Sequence, residues 1–263
     1  MDIGTAKPSR EEMARVPHHL IDIVNPDETL SLAVFQQKAK ETIAEIHRRG
    51  KLPFLVGGTG QYIRAVTEGW SPPEVTPDER LRKVLEALVE EQSPNWLHDR
   101  LRILDPEAAE KIDARNVRRT VRALEVILTT GRKFSAQRGQ VESSFGLITI
   151  GLIRRREELY RRVDERIELM FASGFLNEVK RLLEKGYSPS LPSMSAIGYR
   201  EAVRVAKAEW SEDQAKAEMR RMTRIFVRRQ SNWFKESDAQ IRWFHPNQKE
   251  EVESYLQGVL IGL

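Results

Sequence analysis

An α/β core with a parallel sheet, interrupted by an all-helical insertion, is the fold class that three features of this 263-residue chain predict. A strand, a helix and a second strand are spaced between Leu20 and Val56 as in a crossover unit. Beyond Pro77 the apolar patterns are helical up to Gly139. At Leu147–Ile153 the chain returns to a short, continuous apolar run suited to a buried strand.

Taken in order, Leu20-Ile21-Asp22-Ile23-Val24 ends at Asn25-Pro26 and reads as a strand and a turn. Ser31 is placed to cap a helix with the apolar stripe Leu32, Phe35, Ala39, Ile43 and Ile46, and Gly50 closes it. The second strand, Leu52–Val56, runs into Gly57-Gly58-Thr59-Gly60 and a helix start. A crossover of this length is right-handed and pairs its strands in parallel. Ligands of such sheets sit at the carboxyl ends of the strands, where Gly57, Gly58 and Thr59 fall. Glycine lets backbone approach a ligand closely, and amides at a helix start favour an anion. Alone the signal is weak, because a Gly-Gly turn after a strand is common in α/β proteins.

Ser71-Pro72-Pro73-Glu74-Val75-Thr76-Pro77 cannot continue a helix and reads as a linker. In the insertion, Leu81, Val84, Leu85 and Leu88 form one stripe, Asp105-Pro106 starts another helix, and Asn116 caps a third that ends at Gly131. Ile241-Arg242-Trp243-Phe244 is a last strand among C-terminal helices. The expected division is a first core part at 1–77, a helical insertion at 78–145 and a second, mostly helical core part at 146–263.

Composition sets outer limits. Hydrophobic residues make up 40% of the chain, an ordinary globular share, and no apolar run reaches bilayer length. There is no cysteine, which excludes disulfides and cysteine-ligated zinc and fits an expected cytoplasmic location. The 43 basic residues outnumber the 39 acidic ones, giving a net charge of +4 and only a modest preference for a polyanionic partner. Position says more than the sum. Arg115, Arg118, Arg119 and Arg122 crowd the start of the helix after Asn116, opposite the stripe Val117, Val121, Leu124 and Leu128. Guanidinium forks suit successive phosphates, but a solvated face with Glu125 taking part of the charge fits equally.

A second basic helix opens at Ser211 with Gln214 in capping-box register. Its stripe is Ala215, Met219, Met222 and Phe226, and Arg221, Arg224 and Arg228 share another face. It runs into Arg228-Arg229-Gln230-Ser231-Asn232-Trp233-Phe234-Lys235, whose aromatics are of the kind that stack on an unpaired base, although core packing is the simpler role for Trp233. Ser195-Ala196-Ile197-Gly198-Tyr199-Arg200 offers a tight turn followed by a fixed charge. His18-His19 are adjacent on extended chain, so they point apart and do not share a metal.

Met1-Asp2-Ile3-Gly4-Thr5-Ala6-Lys7-Pro8, Leu55–Tyr62, the Asn116–Glu125 run, Ser195–Arg200 and Arg228–Lys235 together resemble, in order and across essentially the whole chain, the tRNA dimethylallyltransferases. The resemblance implies a P-loop-NTPase-like core, transfer of a dimethylallyl group from dimethylallyl diphosphate to the exocyclic amine of the adenosine 3′ to the anticodon, and Mg²⁺ as cofactor. It implies catalytic roles for Thr59, near the target nucleotide, and Arg200, against the departing diphosphate. Lys7, Gly57 and Gly58 are implied neighbours of the diphosphate, although a solvated loop lysine describes Lys7 as well. Implied tRNA contacts are Arg80, Arg118, Arg119, Arg122, Ser195, Ile197, Gly198, Tyr199, Arg228, Arg229, Gln230, Trp233 and Lys235. Asn232 stands where many members carry Thr. The expected partners are the tRNA anticodon arm and dimethylallyl diphosphate, with no membrane and a monomeric state.

That family opens with a P-loop and an Asp-Ser stretch carrying the general base, and no Gly-x-x-x-x-Gly-Lys-Ser/Thr occurs in these residues. The expectation is therefore an N-terminally truncated core with no metal ligand of its own, exposed apolar surface, tRNA binding and no detectable transfer by this chain alone. Other readings are a tRNA-binding remnant without catalysis, an adenylate prenyltransferase, which leaves the arginine-rich insertion unexplained, and a P-loop nucleotide kinase, which leaves Ile-Gly-Tyr-Arg unexplained.

Overall fold

The computed structural model describes residues 1–71, 73, 75–137, 139–140 and 145–261; Pro72 and Glu74 of the expected linker lie outside them. The chain forms two units, one of Met1–Leu30, Val56–Gly60 and Leu147–Leu263, the other of Ser31–Leu55 and Gln61–Gly146.

The first unit carries α1 (Arg10–Arg15), β3 (Thr149–Leu152), α8 (Arg156–Ala172), α9 (Phe175–Glu184), α10 (Tyr199–Ala206), α11 (Glu212–Trp233), β4 (Ile241–Phe244) and α12 (Lys249–Ile261). β3 and β4 pair in parallel, from Thr149 opposite Ile241 to Leu152 opposite Phe244. A Cβ at Gly151 would collide with the Trp243 ring, so this strand glycine marks a close side-chain approach. The core lies instead among helices, where Phe175, Val179, Met194, Tyr199 and Met219 are buried. The rings of Phe171, Phe175 and Tyr199 meet edge to face, with centroids 5.9 and 5.1 Å apart. α11 starts as its sequence predicts, with Ser211 and Gln214 closing a capping box.

The expected crossover between Leu20 and Val56 does not form. Leu20 and Asp22 have φ of 59° and 56°, and left-handed residues at alternate positions break an extended ladder. Leu52–Val56 is not in a strand, and among the described residues it has no ladder partner. Without one its apolar side chains face outward, with Phe54 68% and Val56 87% exposed. The apolar run at 147–153 is less buried than its composition suggests, because Leu152 in β3 and Leu147 just before it are also exposed.

The second unit contains α2 (Leu32–Arg48), most of α3 (Gly60–Thr67), β1 (Trp70–Ser71), α4 (Glu79–Glu91), α5 (Pro94–Leu104), α6 (Pro106–Lys111), α7 (Val117–Thr130) and β2 (Gly139–Gln140). The capping residues read from sequence hold: Ser31, Asp105 and Asn116 each accept an amide of the first turn, and Gly131 ends α7 at φ 66°. Residues 31–55 and the described residues of 61–77 fall in the unit that holds the helical stretch. Buried Gln36 explains part of this, donating to the carbonyls of Ala65 and Trp70 at 2.5 and 2.6 Å. Phe35 against Tyr62 and the antiparallel pairing of β1 with β2 add to it.

α4, α5, α6 and α7 pack around Leu97, Leu101, Val121, Leu124 and Val126. Fully buried Glu125 joins the packing: it accepts the Asp78 amide at 2.8 Å, Arg82 Nε at 2.8 Å and Arg122 Nη1 at 2.6 Å. Burial pushes its carboxyl up, but the two arginines and the amide outweigh burial and hold it below its usual 4.5. Buried Asp105 similarly accepts the Ala108 amide and both the amide and the hydroxyl of Ser135. His98 Nε2 lies 2.7 Å from the Ile112 carbonyl, beyond the end of α6.

Glu125→Ala, which strands two arginines, is expected to cost about 3–5 kcal/mol in urea unfolding. A folded-state pKa below the unfolded value means that Glu125 contributes stability above about pH 4.5 and loses it as pH falls through the lowered value. Glu125→Gln should therefore flatten the acid limb of the melting temperature against pH, and an unchanged limb would remove Glu125 from this role.

Candidate functional site

Gly198 carries the turn before α10 at φ 101°, a region that L side chains rarely adopt. Immediately after it, Tyr199 is fully buried and its hydroxyl donates to Glu178 Oε1 at 2.5 Å. The other oxygen of Glu178 accepts the amides of Asp2 and Ile3, both at 2.9 Å. Burial pushes the Glu178 carboxyl up, but these three donors outweigh it and the pKa is lowered. Burial, then the Glu178 charge, pushes the Tyr199 phenol up, so it remains a protonated donor. A Cβ at Gly4 would run into the rings of Tyr199 and Phe175. The opening Met-Asp-Ile-Gly turn is thus seated on the Ile-Gly-Tyr-Arg turn, 195 residues downstream from Gly4 to Tyr199.

Arg200 projects from the first turn of α10 with its side chain 46% exposed. Its Nε and Nη2 donate to Glu201 Oε1 at 2.9 and 2.7 Å. Ser195 is exposed and donates to the Pro192 carbonyl, and Ile197 is half-buried. Lys7 reaches the carboxylates of both Asp2 and Asp22. An ammonium between two carboxylates has its charge balanced, so Lys7 faces no uncompensated vacancy for a phosphate.

The glycine turn meets the end of α11. Gln230 Nε2 donates to the Gly58 carbonyl at 3.1 Å. A Cβ at Gly58 would strike Gln230, and one at Gly60 would strike Trp233. These two residues therefore support the turn, while Gly57 and Thr59 are exposed on it. Beside them Arg228, Arg229 and Lys235 are exposed, with no ion pair among the described residues.

The remaining arginines of α11 are engaged within the protein. Arg224 donates to Asp164 at 2.9 Å, Arg220 meets Asp164 and Glu168, and Arg221 pairs with Glu218 on its own helix at 2.7 Å. Of the expected shared face of Arg221, Arg224 and Arg228, Arg228 alone has no ion pair among the described residues. In the helical unit, Arg80 and Arg118 are exposed, and Arg119 is half-buried with no ion pair among the described residues. Arg115 forks onto Asp113. Arg122 is turned inward, donating to Glu125 and to the Val75 carbonyl at 2.9 Å.

Sequence reading passed over Glu178 and Glu201. Both sit inside apolar stripes of short amphipathic helices, beside Phe175, Val179 and Leu182 in one case and Tyr199, Ala202 and Val203 in the other. An acid at such a position is the available signal, since burial requires that it be paired. Among the described residues there is no group of three or more histidines and carboxylates placed to hold a metal.

Tyr199→Phe removes one donor from a buried carboxylate and is expected to cost about 1.5–3 kcal/mol, read by urea unfolding. It should also speed hydrogen exchange at the Asp2 and Ile3 amides; unchanged exchange would detach the opening turn from this network.

A family model described as "IPP transferase" matches residues 1–237. A tRNA dimethylallyltransferase of Roseiflexus sp. (strain RS-1) is 49% identical over 235 residues, 89% of this chain and 77% of that relative. One of Thermomicrobium roseum is 43% identical over 264 residues, 98% of this chain and 80% of the relative. Among solved structures, the tRNA isopentenylpyrophosphate transferase of Bacillus halodurans superposes with a TM-score of 0.69 at 39% identity, covering 98% of this chain and 83% of that one. With matches of this extent running through the opening turn, the glycine turn and the Ile-Gly-Tyr-Arg segment, the chain belongs to the IPP transferase family of tRNA dimethylallyltransferases.

Proposed function

We propose that the protein prenylates tRNA, transferring the dimethylallyl group of dimethylallyl diphosphate to the exocyclic amine of the adenosine 3′ to the anticodon. The amine nitrogen forms a bond to the terminal allylic carbon, the carbon–oxygen bond breaks, diphosphate leaves with the electron pair, and the amine loses a proton. The amine cannot be reached while the base is stacked, so the nucleotide is extruded first. The observation that best supports this reading is the seating of the Gly57–Gly60 turn on Gln230 and Trp233, next to Arg228 and Arg229, which have no ion pair among the described residues. Exposed amides and arginines side by side suit an RNA segment whose target base enters at the turn.

In this reading Arg200 stabilises the charge that builds on diphosphate, and Thr59 lies against the target nucleotide. An oriented donor of this kind contributes about 10²–10³-fold in rate. Mg²⁺, where it acts, neutralises phosphate charge and binds largely through substrate phosphates and water; none of the roles given to these residues passes through it. Arg80, Arg118 and Arg119 form the basic surface of the helical unit proposed to follow the anticodon arm, with Arg122 an internal strut. We further propose a monomer acting in the cytoplasm; among the described residues no helix is long and apolar enough to cross a membrane.

The assay is binding and transfer on an anticodon stem-loop with labelled dimethylallyl diphosphate and Mg²⁺. Salt-sensitive binding, with any label confined to the adenosine 3′ to the anticodon, is the expected result. Preference for free AMP over the stem-loop would overturn it.

Arg118→Ala combined with Arg119→Ala should weaken stem-loop binding and lower its salt slope by roughly 0.7–0.9 per lost phosphate contact, with the melting temperature retained. Arg122→Ala should instead lower the melting temperature. An unchanged salt slope in the double variant would return the start of α7 to a merely solvated face.

A further inference from the structure

We infer that Glu201 is a positioning residue for the reaction: a buried carboxylate that fixes the guanidinium of Arg200 edge-on, so that its remaining donors are presented to the diphosphate group. The inference rests on the proposed role of Arg200 and adds a residue to it.

The geometry divides the two oxygens of Glu201 between two tasks. Oε2 accepts the amide of Gly198 at 2.7 Å, the half of a capping box that a glycine N-cap allows at the start of α10. Oε1 accepts Nε and Nη2 of Arg200 at 2.9 and 2.7 Å. Glu201 has no exposed surface, whereas the Arg200 side chain is 46% exposed. One edge of the guanidinium is therefore anchored to a buried carboxylate that is itself held by the Gly198 amide, and Nη1 has no partner among the described residues. An arginine has several rotatable bonds, and freezing them upon binding an anion costs affinity. Anchoring one edge beforehand removes part of that cost while leaving a donor pair facing outward.

Capping alone does not account for this arrangement. A glutamine at the same position accepts the N-cap amide as a glutamate does, but it offers no charge to a guanidinium. Glu201→Gln therefore separates the two roles. It should keep the fold, with a melting temperature within about 4 °C of the parent, because the Gly198 amide retains its acceptor.

The experiment compares the parent chain, Glu201→Gln and Arg200→Ala by calorimetric titration with inorganic diphosphate and by the ¹⁵N–¹H signal of Arg200 Nε. The parent should show a slowly exchanging Arg200 Nε–H that is lost in Glu201→Gln. Diphosphate binding should weaken about three- to tenfold in Glu201→Gln, the range expected from releasing one long side chain, and more in Arg200→Ala. Binding lost in Arg200→Ala but unchanged in Glu201→Gln would overturn the positioning role and leave the role of Arg200 standing. Binding unchanged in Arg200→Ala, or no binding by the parent chain, would overturn the role of Arg200 and this inference with it.

Discussion

A carboxylate withdrawn from water must receive donors or positive charge in return, and this requirement organises the interior of both units. Asp105, Glu125 and Glu201 have no exposed surface and Glu178 is 6% exposed. Each ties segments that helix packing alone would leave loose. Glu125 on α7 holds the start of α4 through the Asp78 amide and Arg82, and holds Arg122 on its own helix, while Asp105 holds the loop at Ser135. Glu178 holds the opening turn against α10, and Glu201 sets the first turn of α10. With only two short strand pairs among the described residues, little of the long-range order comes from sheet ladders.

The same rule sorts the arginines. Net charge treats all basic residues alike, but a guanidinium facing a carboxylate is no longer available to a phosphate. Arg82, Arg122, Arg220 and Arg224 are engaged in this way. Among the described residues, Arg80, Arg118 and Arg119 in one unit and Arg228 and Arg229 in the other have no such partner. Arg200 stands between the classes, with one edge held and another open. For a polyanionic substrate that distribution matters more than the total of +4.

Glycines define the other constraint. Gly4, Gly58 and Gly60 have no room for a side chain, because aromatic rings or Gln230 occupy the space. Each is a place where distant segments touch: Gly4 on Tyr199 and Phe175, Gly58 on Gln230, Gly60 on Trp233. The motifs that identify the family are therefore largely packing contacts between turns and helix ends, with the exposed Thr59 and Arg200 carried on that frame.

Local chemistry made much of this legible in the sequence. Ser31, Asp105, Asn116, Gly131 and the Ser211–Gln214 pair set helix ends, because capping depends on neighbours a few residues away. The strands at 149–152 and 241–244 and the family motifs were equally readable. The crossover between Leu20 and Val56 was not, because a strand exists only with a partner and its apolar pattern cannot say whether one is present. Glu125, one helical turn from Arg122, was legible as a partner in sequence, but its burial, the Val75 carbonyl that also reaches Arg122 and the exposure of Arg118 were decided by the tertiary fold. The buried roles of Glu178 and Glu201 were likewise decided by the fold, since the donors they require come from turns and side chains that only folding assembles around them.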